Sequence, residues 1–319
     1  QEGHFKGPSM FVTLLACLLF CVTCGDEKPT LPCAPESSNC RPHPSLDEVR
    51  KRAAKWKQIK VEQLMDFPAV FALRGFLKSK ELQKLRKFAN SEPQMKMGGN
   101  MAMVDSPNGL DIAAALDKRM AALAGLPISS VEDGHFNIYE EASSTAIHQD
   151  NNNPTNESYR ITSFVVYIEG EDEGLIGGHT VFPLLNFSSK SRVRLLSEPQ
   201  LAKWDKALNA PPPSSDPKSL NGRFCMDSKP LEDYKKSDLC KPLLRLTRRA
   251  CSIKPASHGV MPKAGDAVMF FHLGADSKLT NLAVHGSCGV SAGRKLMLAK
   301  FLKMPALSKG GKGSKRSDL

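Results

Sequence analysis

Four residues in this chain have the types and spacing of a reaction centre. His148 and Asp150 stand two apart, His285 lies more than 130 residues downstream, and Lys295 follows ten positions later. Two imidazoles and one carboxylate can hold a non-haem ferrous ion on one face and leave the opposite positions open. A lysine beyond the second histidine supplies the cation that an acidic co-substrate needs. The combination points to oxidative chemistry rather than to a structural metal. An H-x-D pair alone is weak evidence, because such pairs arise by chance and most are surface polar groups. The surrounding sequence has to carry the rest.

In an extended segment, His148 and Asp150 project from one face. Only closure of a sheet brings the remote His285 to them. GDAVMFFHLG reads as a buried strand, AVHGSCGV places His285 at a turn beside two glycines, and GRKLMLAK returns as a strand carrying Lys295. A lysine at the start of an apolar strand is by default a snorkelling edge residue. The alternation Lys295, Met297, Ala299 can instead point it inward beside a metal site.

The wider sequence predicts such a sheet. HFNIY (135–139), ITSFVVYI (161–168), VMP (260–262), AVMFFHL (267–273) and KLMLAKFL (295–302) are short, rich in β-branched and aromatic residues, and separated by Gly, Asn and Pro. Helical patterns precede them, so the expected class is mainly β with a helical buttress (α+β), an antiparallel sandwich or barrel. Ser45 with Glu48 opens a basic helix expected to run to about Leu64. FPAVFALRGFL (67–77) reads as a strand, and KSKELQKLRKFAN (78–90) as an amphipathic helix whose Leu82, Leu85 and Phe88 are core packing. A low-structure stretch is expected next, then a helix over 109–126 ended by Gly125 and Pro127. Residues 184–258, with a triple proline and three cysteines, read as a lid or surface insertion.

Residues 1–9 do not resemble a natural start, whereas Met10 and the apolar run after it read as a secretory signal over 10–24. About 14 apolar residues fall short of the roughly 20 that span a bilayer, and no membrane insertion is expected after cleavage. A linker and N-terminal helix (25–64), a main β-rich domain (65–303) that carries the 184–258 insertion and a basic, Gly/Ser-rich tail (304–319) expected to be disordered complete the division. Of nine cysteines, Cys17, Cys21 and Cys24 leave with the signal. Cys33 and Cys40 form the obvious local bridge, and pairing among Cys225, Cys240, Cys251 and Cys288 stays open. Asn156 and Asn186 stand in glycosylation sequons. A net charge of +11 is partly a tail effect, and no recognition motif accompanies it, so nucleic acid is not the expected partner. The terminal Arg-Ser-Asp-Leu loosely resembles a lumenal retention signal. The expected compartment is the endoplasmic reticulum lumen, with secretion as the alternative.

In order and spacing, the fragments from about Phe67 to Leu302 resemble the prolyl 4-hydroxylase branch of the Fe(II)- and 2-oxoglutarate-dependent dioxygenases. Tyr139 stands nine residues before His148, Arg160 leads RITSFVVYI, Gly177-Gly178 precede His179-Thr180-Val181-Phe182-Pro183, MPKAGDAVMFF follows the insertion, and His285-Gly286-Ser287-Cys288 precedes Lys295. The resemblance implies a double-stranded β-helix (jelly roll) in which His148, Asp150 and His285 hold Fe(II). It implies that 2-oxoglutarate chelates the iron through its keto acid end, its far carboxylate pairing with Lys295 and the Tyr139 hydroxyl. O2 is the other implied co-substrate, succinate and CO2 the by-products, and L-ascorbate the reductant. A lysine rather than an arginine at position 295 leans towards the prolyl branch. The implied substrate is a proline-containing polypeptide, as for procollagen-proline 4-dioxygenases, with Arg160 reaching a peptide carbonyl or making a purely structural pairing. The alternatives are the same chemistry on another peptide residue or a small molecule, or a non-catalytic secreted binding protein that retains the fold.

Several positions depart from the family pattern. His179 replaces a glutamate and reads as a rim or supporting residue. Thr145 replaces a second tyrosine, and Leu296, Phe301 and Lys303 read as a changed substrate wall. His135, His258 and His272 have no motif context and read as ordinary.

Overall fold

The structure, a computed structural model, describes residues 43–98, 100–105, 110–150, 160–185, 187, 240–252, 258–274 and 280–304. The signal run, the Cys33–Cys40 bridge, both sequon asparagines, most of the insertion and the tail lie outside the described residues. Among the described residues no helix is long and apolar enough to cross a membrane.

The N-terminal half holds α1 (Leu46–Ala53), β1 (Lys60–Met65), β2 (Val70–Arg74), α2 (Ser79–Ser91), β3 (Met95–Gly98), β4 (Met101–Val104) and α3 (Ala113–Ala124). Then come β5 (His135–Tyr139), β6 (Thr145–His148), β7 (Arg160–Glu169), β8 (Ile176–Gly177) and β9 (Thr180–Val181). The rest is α4 (Cys240–Ser252), β10 (Gly259–Val260), β11 (Ala267–Phe271), β12 (His285–Ser287), β13 (Val290–Ala292) and β14 (Lys295–Lys303).

Eight strands form one sheet in the order β1-β2-β11-β7-β14-β5-β4-β3, four form a second in the order β10-β9-β12-β6, and β8 pairs with β13. From β5 onward the chain alternates between the sheets, so β5-β14-β7-β11 in the large one and β6-β12-β9-β10 in the small one wind as a double helix of antiparallel strands. This is the expected jelly roll. Period-two alternation assigns the faces. In β14, Leu296, Leu298 and Leu302 join the core that also holds residues of α1, α2 and α3, while Met297, Ala299 and Phe301 join a second core with residues of the small sheet. The functional candidates sit with the second core.

Three local expectations are corrected. The helix opened by the Ser45–Glu48 capping box ends at Ala53, not Leu64. Lys60–Met65 is instead a strand on β2, burying Val61 and Met65; strand pairing overrides a weak helical propensity. The stretch after α2 is not without structure, because Met95 pairs with Met103 in the β3–β4 hairpin, and β4 extends the sheet beside β5. Methionine carries little strand signal, which hid this edge. His285 lies within β12 rather than at a turn. The helix expected over 109–126 forms over Ala113–Ala124, and Gly125 ends it at φ +76° in the left-handed region.

Candidate metal centre and co-substrate pocket

Antiparallel pairing of β6 with β12 sets His148 directly opposite His285, with ring centroids 4.5 Å apart. Asp150, two residues on, turns its carboxylate to both. Oδ1 lies 3.4 Å from His148 Nε2 and Oδ2 3.5 Å from His285 Nε2. One ligand atom from each of the three residues falls within 4.8 Å of the other two. Ligands at right angles with bonds of about 2.1 Å stand about 3 Å apart, and the two Asp150–histidine distances are close to that spacing. Asp150 and His285 are buried, whereas the His148 side chain is 25% exposed, which marks the open side.

Neighbours hold each ligand in a metal-binding state. With its proton on Nδ1, His285 donates to the Ala283 carbonyl at 3.2 Å and leaves Nε2 free to ligate. Phe270 and Phe182 wall the same ring at 4.6 and 5.7 Å. Asp150 Oδ2 accepts from Ser163 Oγ at 2.7 Å, and that oxygen accepts in turn from His272 Nε2 at 2.8 Å. Burial alone would raise the Asp150 carboxyl, but His285 and His148 beside it hold it well below the usual carboxylate range. Burial pushes His285 down to about 3 and His272 to about 4, against the pull of Asp150. Asp150 is therefore ionised and His285 neutral at neutral pH, the protonation states that metal ligation requires. His272, read from sequence as ordinary, supports the carboxylate. Its alternation with Phe270 along one strand face is the signal that could have found it.

Arg160 pairs with Glu132. Its Nη2 lies 2.9 Å and its Nε 3.1 Å from Glu132 Oε2, Nη1 donates to the Asp150 carbonyl at 3.3 Å, and Cζ stacks 3.8 Å from the Phe301 ring centre. Of the two readings for Arg160, the structure contains the structural pairing. Lys303 joins the same carboxylate at 3.4 Å. Leu296 lies in the helix-side core and cannot be part of a substrate wall, which corrects that expectation.

Lys295 opens β14 opposite Tyr139 in β5. It is fully buried. Its Nζ donates to the Gly178 carbonyl at 2.7 Å and to Ser287 Oγ at 2.8 Å, with the Tyr139 ring centre at 4.9 Å and that of Tyr167 at 5.8 Å. Gly177 makes this possible: at φ +82° a side chain is strained, and a Cβ would run into the Gly289 carbonyl. Burial pushes the Lys295 ammonium down to about 7. No carboxylate is among its partners in the described residues, and one of three N–H groups is uncommitted. Tyr139 stands beside this ammonium, but its hydroxyl shares a 2.6 Å hydrogen bond with Thr145 Oγ1. Burial raises that hydroxyl to about 12, so it stays neutral.

The two centres occupy opposite ends of the same strands. β6 runs from Thr145 to His148, and β12 from His285 to Ser287. Two strand residues span roughly 7 Å, the reach of a short dicarboxylic acid. His179 is buried, with Nε2 3.2 Å from Cys288 Sγ. A disulfide joins Cys251 of α4 to Cys288 after β12 and settles one of the open pairings.

No protein-family model matches the sequence, and no curated protein matches it. Among solved structures, similarity extends to a viral collagen prolyl hydroxylase from Paramecium Bursaria Chlorella virus-1 in complex with 2-oxoglutarate, at 14% identity and TM-score 0.43, covering 74% of this chain and 96% of that one. A prolyl-4-hydroxylase from Pseudomonas putida is 14% identical at TM-score 0.40, covering 81% and 99%. HygX from Streptomyces hygroscopicus, with nickel, 2-oxoglutarate and hygromycin B bound, is 13% identical at TM-score 0.38, covering 79% and 86%.

Proposed function

We propose that this chain is an Fe(II)- and 2-oxoglutarate-dependent oxygenase that hydroxylates peptidyl proline. One observation carries the reading: two imidazoles and an ionised carboxylate converge at one end of β6 and β12, and at the other stands a buried ammonium with no carboxylate partner among the described residues. His148 and His285 would hold the iron through Nε2 and Asp150 through a carboxylate oxygen. With 2-oxoglutarate and O2, Fe(II) bound there supplies the oxidising power to place oxygen in a C–H bond, releasing succinate and CO2. The protein contributes orientation and exclusion of water. The uncommitted N–H of Lys295 takes the far carboxylate of the co-substrate, and Tyr139 and Tyr167 cover that ammonium. Phe182 and Phe270 shield His285, and Ser163 fixes the rotation of the Asp150 carboxylate.

Support for proline comes from the ordered motifs between Tyr139 and Lys295, and from the exposed edge of His148 as an approach for a peptide. A second reading, with another acceptor, is favoured by the engagement of Arg160 with Glu132, which commits its Nε and Nη2 to a carboxylate rather than to a peptide carbonyl. The Cys251–Cys288 disulfide supports an oxidising, lumenal compartment.

The test is incubation of the protein with Fe(II), 2-oxoglutarate, L-ascorbate and Pro-rich peptides, with succinate and peptide mass followed together. A gain of one oxygen on proline matched to succinate is the expected result. Succinate without peptide oxidation supports the second reading. Neither product from folded, iron-loaded protein overturns both and leaves a non-catalytic binding protein.

A further inference from the structure

A second set of metal-ligating atoms converges away from the triad. His179 Nε2, Cys251 Sγ and Cys288 Sγ lie within 4.8 Å of one another. We propose that these three residues form a redox-gated site for a zinc-class divalent cation, closed while the sulfurs are joined and opened when the disulfide is reduced.

The chemistry balances as follows. A dithiol or phosphine reductant delivers two electrons, the S–S bond breaks, and two protons from solvent complete two thiols while the reductant is oxidised. On binding the ion each thiol releases its proton, and His179 moves its remaining proton to Nδ1. Two thiolates and a neutral imidazole then face a doubly positive ion, a charge-neutral set that water completes to four ligands. Thiolate and imidazole together select zinc-class or softer ions over magnesium or calcium.

The geometry is prepared. His179 sits between β8 and β9, and Cys288 directly follows β12. The Cys288 amide donates to the His179 carbonyl at 2.9 Å, and Ser287 pairs in register with Thr180. Nε2 and Sγ of this cross-strand pair are 3.2 Å apart, close to the edge of about 3.5 Å of a tetrahedron with Zn–N near 2.0–2.1 Å and Zn–S near 2.3 Å. Both residues are buried, and burial holds His179 neutral. The third ligand arrives from the last turn of α4, so two ligands are set by the barrel and one by the helix. The site also adjoins the co-substrate anchor: His179 follows Gly178 and Cys288 follows Ser287, the two acceptors of Lys295.

The experiment is an anaerobic cobalt(II) titration of the full chain carrying His148→Ala, before and after reduction and removal of the reductant. That substitution silences the triad, so the result does not depend on the proposed oxygenase activity. The reduced protein is expected to take one cobalt equivalent with a near-ultraviolet thiolate-to-cobalt charge-transfer band and tetrahedral visible bands, and the unreduced protein none. Cys251→Ser, which alters only the helix arm, is expected to lower the charge-transfer intensity by about half and affinity by at least tenfold. Cys251→Ser with Cys288→Ser is expected to abolish the band. A full band in the double variant, which would trace it to the other cysteines, overturns the proposal. So does reduced protein with both thiols free and no cobalt spectrum.

Discussion

Two buried lysines lie five positions apart on β14 and so project from opposite faces of the large sheet. Lys300 points into the helix-side layer and forms an ion pair with Asp117 of α3. Lys295 points between the sheets and, among the described residues, has a carbonyl, a hydroxyl and two aromatic faces as its partners. The same residue type on the same strand is thus complete on one face and lacks its counter-charge on the other. A buried charge without a counter-charge is destabilising, so Lys295 suits an anion as its partner. The wider faces repeat the contrast. On the helix side the Arg119 guanidinium donates to Glu81 and the Phe76 carbonyl, whereas between the sheets Asp150, His148 and His285 gather ligand atoms at one point.

The largest effect that would break this contrast is at the triad. His285→Ala or His148→Ala is expected to weaken Fe(II) binding more than roughly a hundredfold, beyond the 10–100-fold typical of supporting residues, measured by metal-competition titration. Retained tight binding in either variant would remove the distinction between the faces. The lysine pair sharpens it. Lys295→Met is expected to stabilise the ligand-free protein by roughly 1–4 kcal/mol, because an unpaired buried charge gives way to apolar packing, as read by denaturant unfolding. Lys300→Met is expected to destabilise by about 1–3 kcal/mol, since Asp117 loses its partner.

Smaller effects follow from the support of Asp150. Ser163→Ala removes the 2.7 Å donor to Oδ2 and is expected to lower metal affinity roughly 10–100-fold, with secondary structure unchanged by circular dichroism. The gentlest test is pH. Lys295 sits near 7 in the folded protein against an ordinary 10.5. Between those values the unfolded chain holds a proton that the folded chain lacks, so Lys295 makes stability of the ligand-free protein rise with pH across that window. Lys295→Met is expected to flatten the rise. Binding a dicarboxylate above pH 7 must recharge the amine, so calorimetry at pH 8 in buffers of different ionisation enthalpy is expected to detect proton uptake that Lys295→Met lacks.

Much of this was legible in the sequence where local pattern and site chemistry coincide. The alternation Lys295, Met297, Ala299 turned the lysine inward as read, and the β5, β7, β11 and β14 segments form strands within a few residues of their expected bounds. What pattern could not reach was set by long-range pairing. Val61 and Met65 belong to a strand because β2 accepts them, and Met95–Met103 form a hairpin because β5 offers an edge. The site was read in its ligands and missed in its supports. Ser163 and His272 carry no motif, and only closure of β7 against β11 brings them to Asp150. Arg160 and Leu296 show the converse, since a motif position does not say whether a side chain faces the site or a structural partner.

The central claim is that the Lys295 ammonium and the metal triad form one co-substrate site. Its most direct test is anaerobic calorimetric titration of 2-oxoglutarate into Fe(II)-loaded wild type, Lys295→Met and Lys300→Met proteins. The expected result is one equivalent bound by wild type and Lys300→Met alike, and affinity roughly 10–150-fold weaker in Lys295→Met, the loss of one charge-assisted hydrogen bond. Equal binding by all three proteins, or no binding by metal-loaded wild type, would contradict the account.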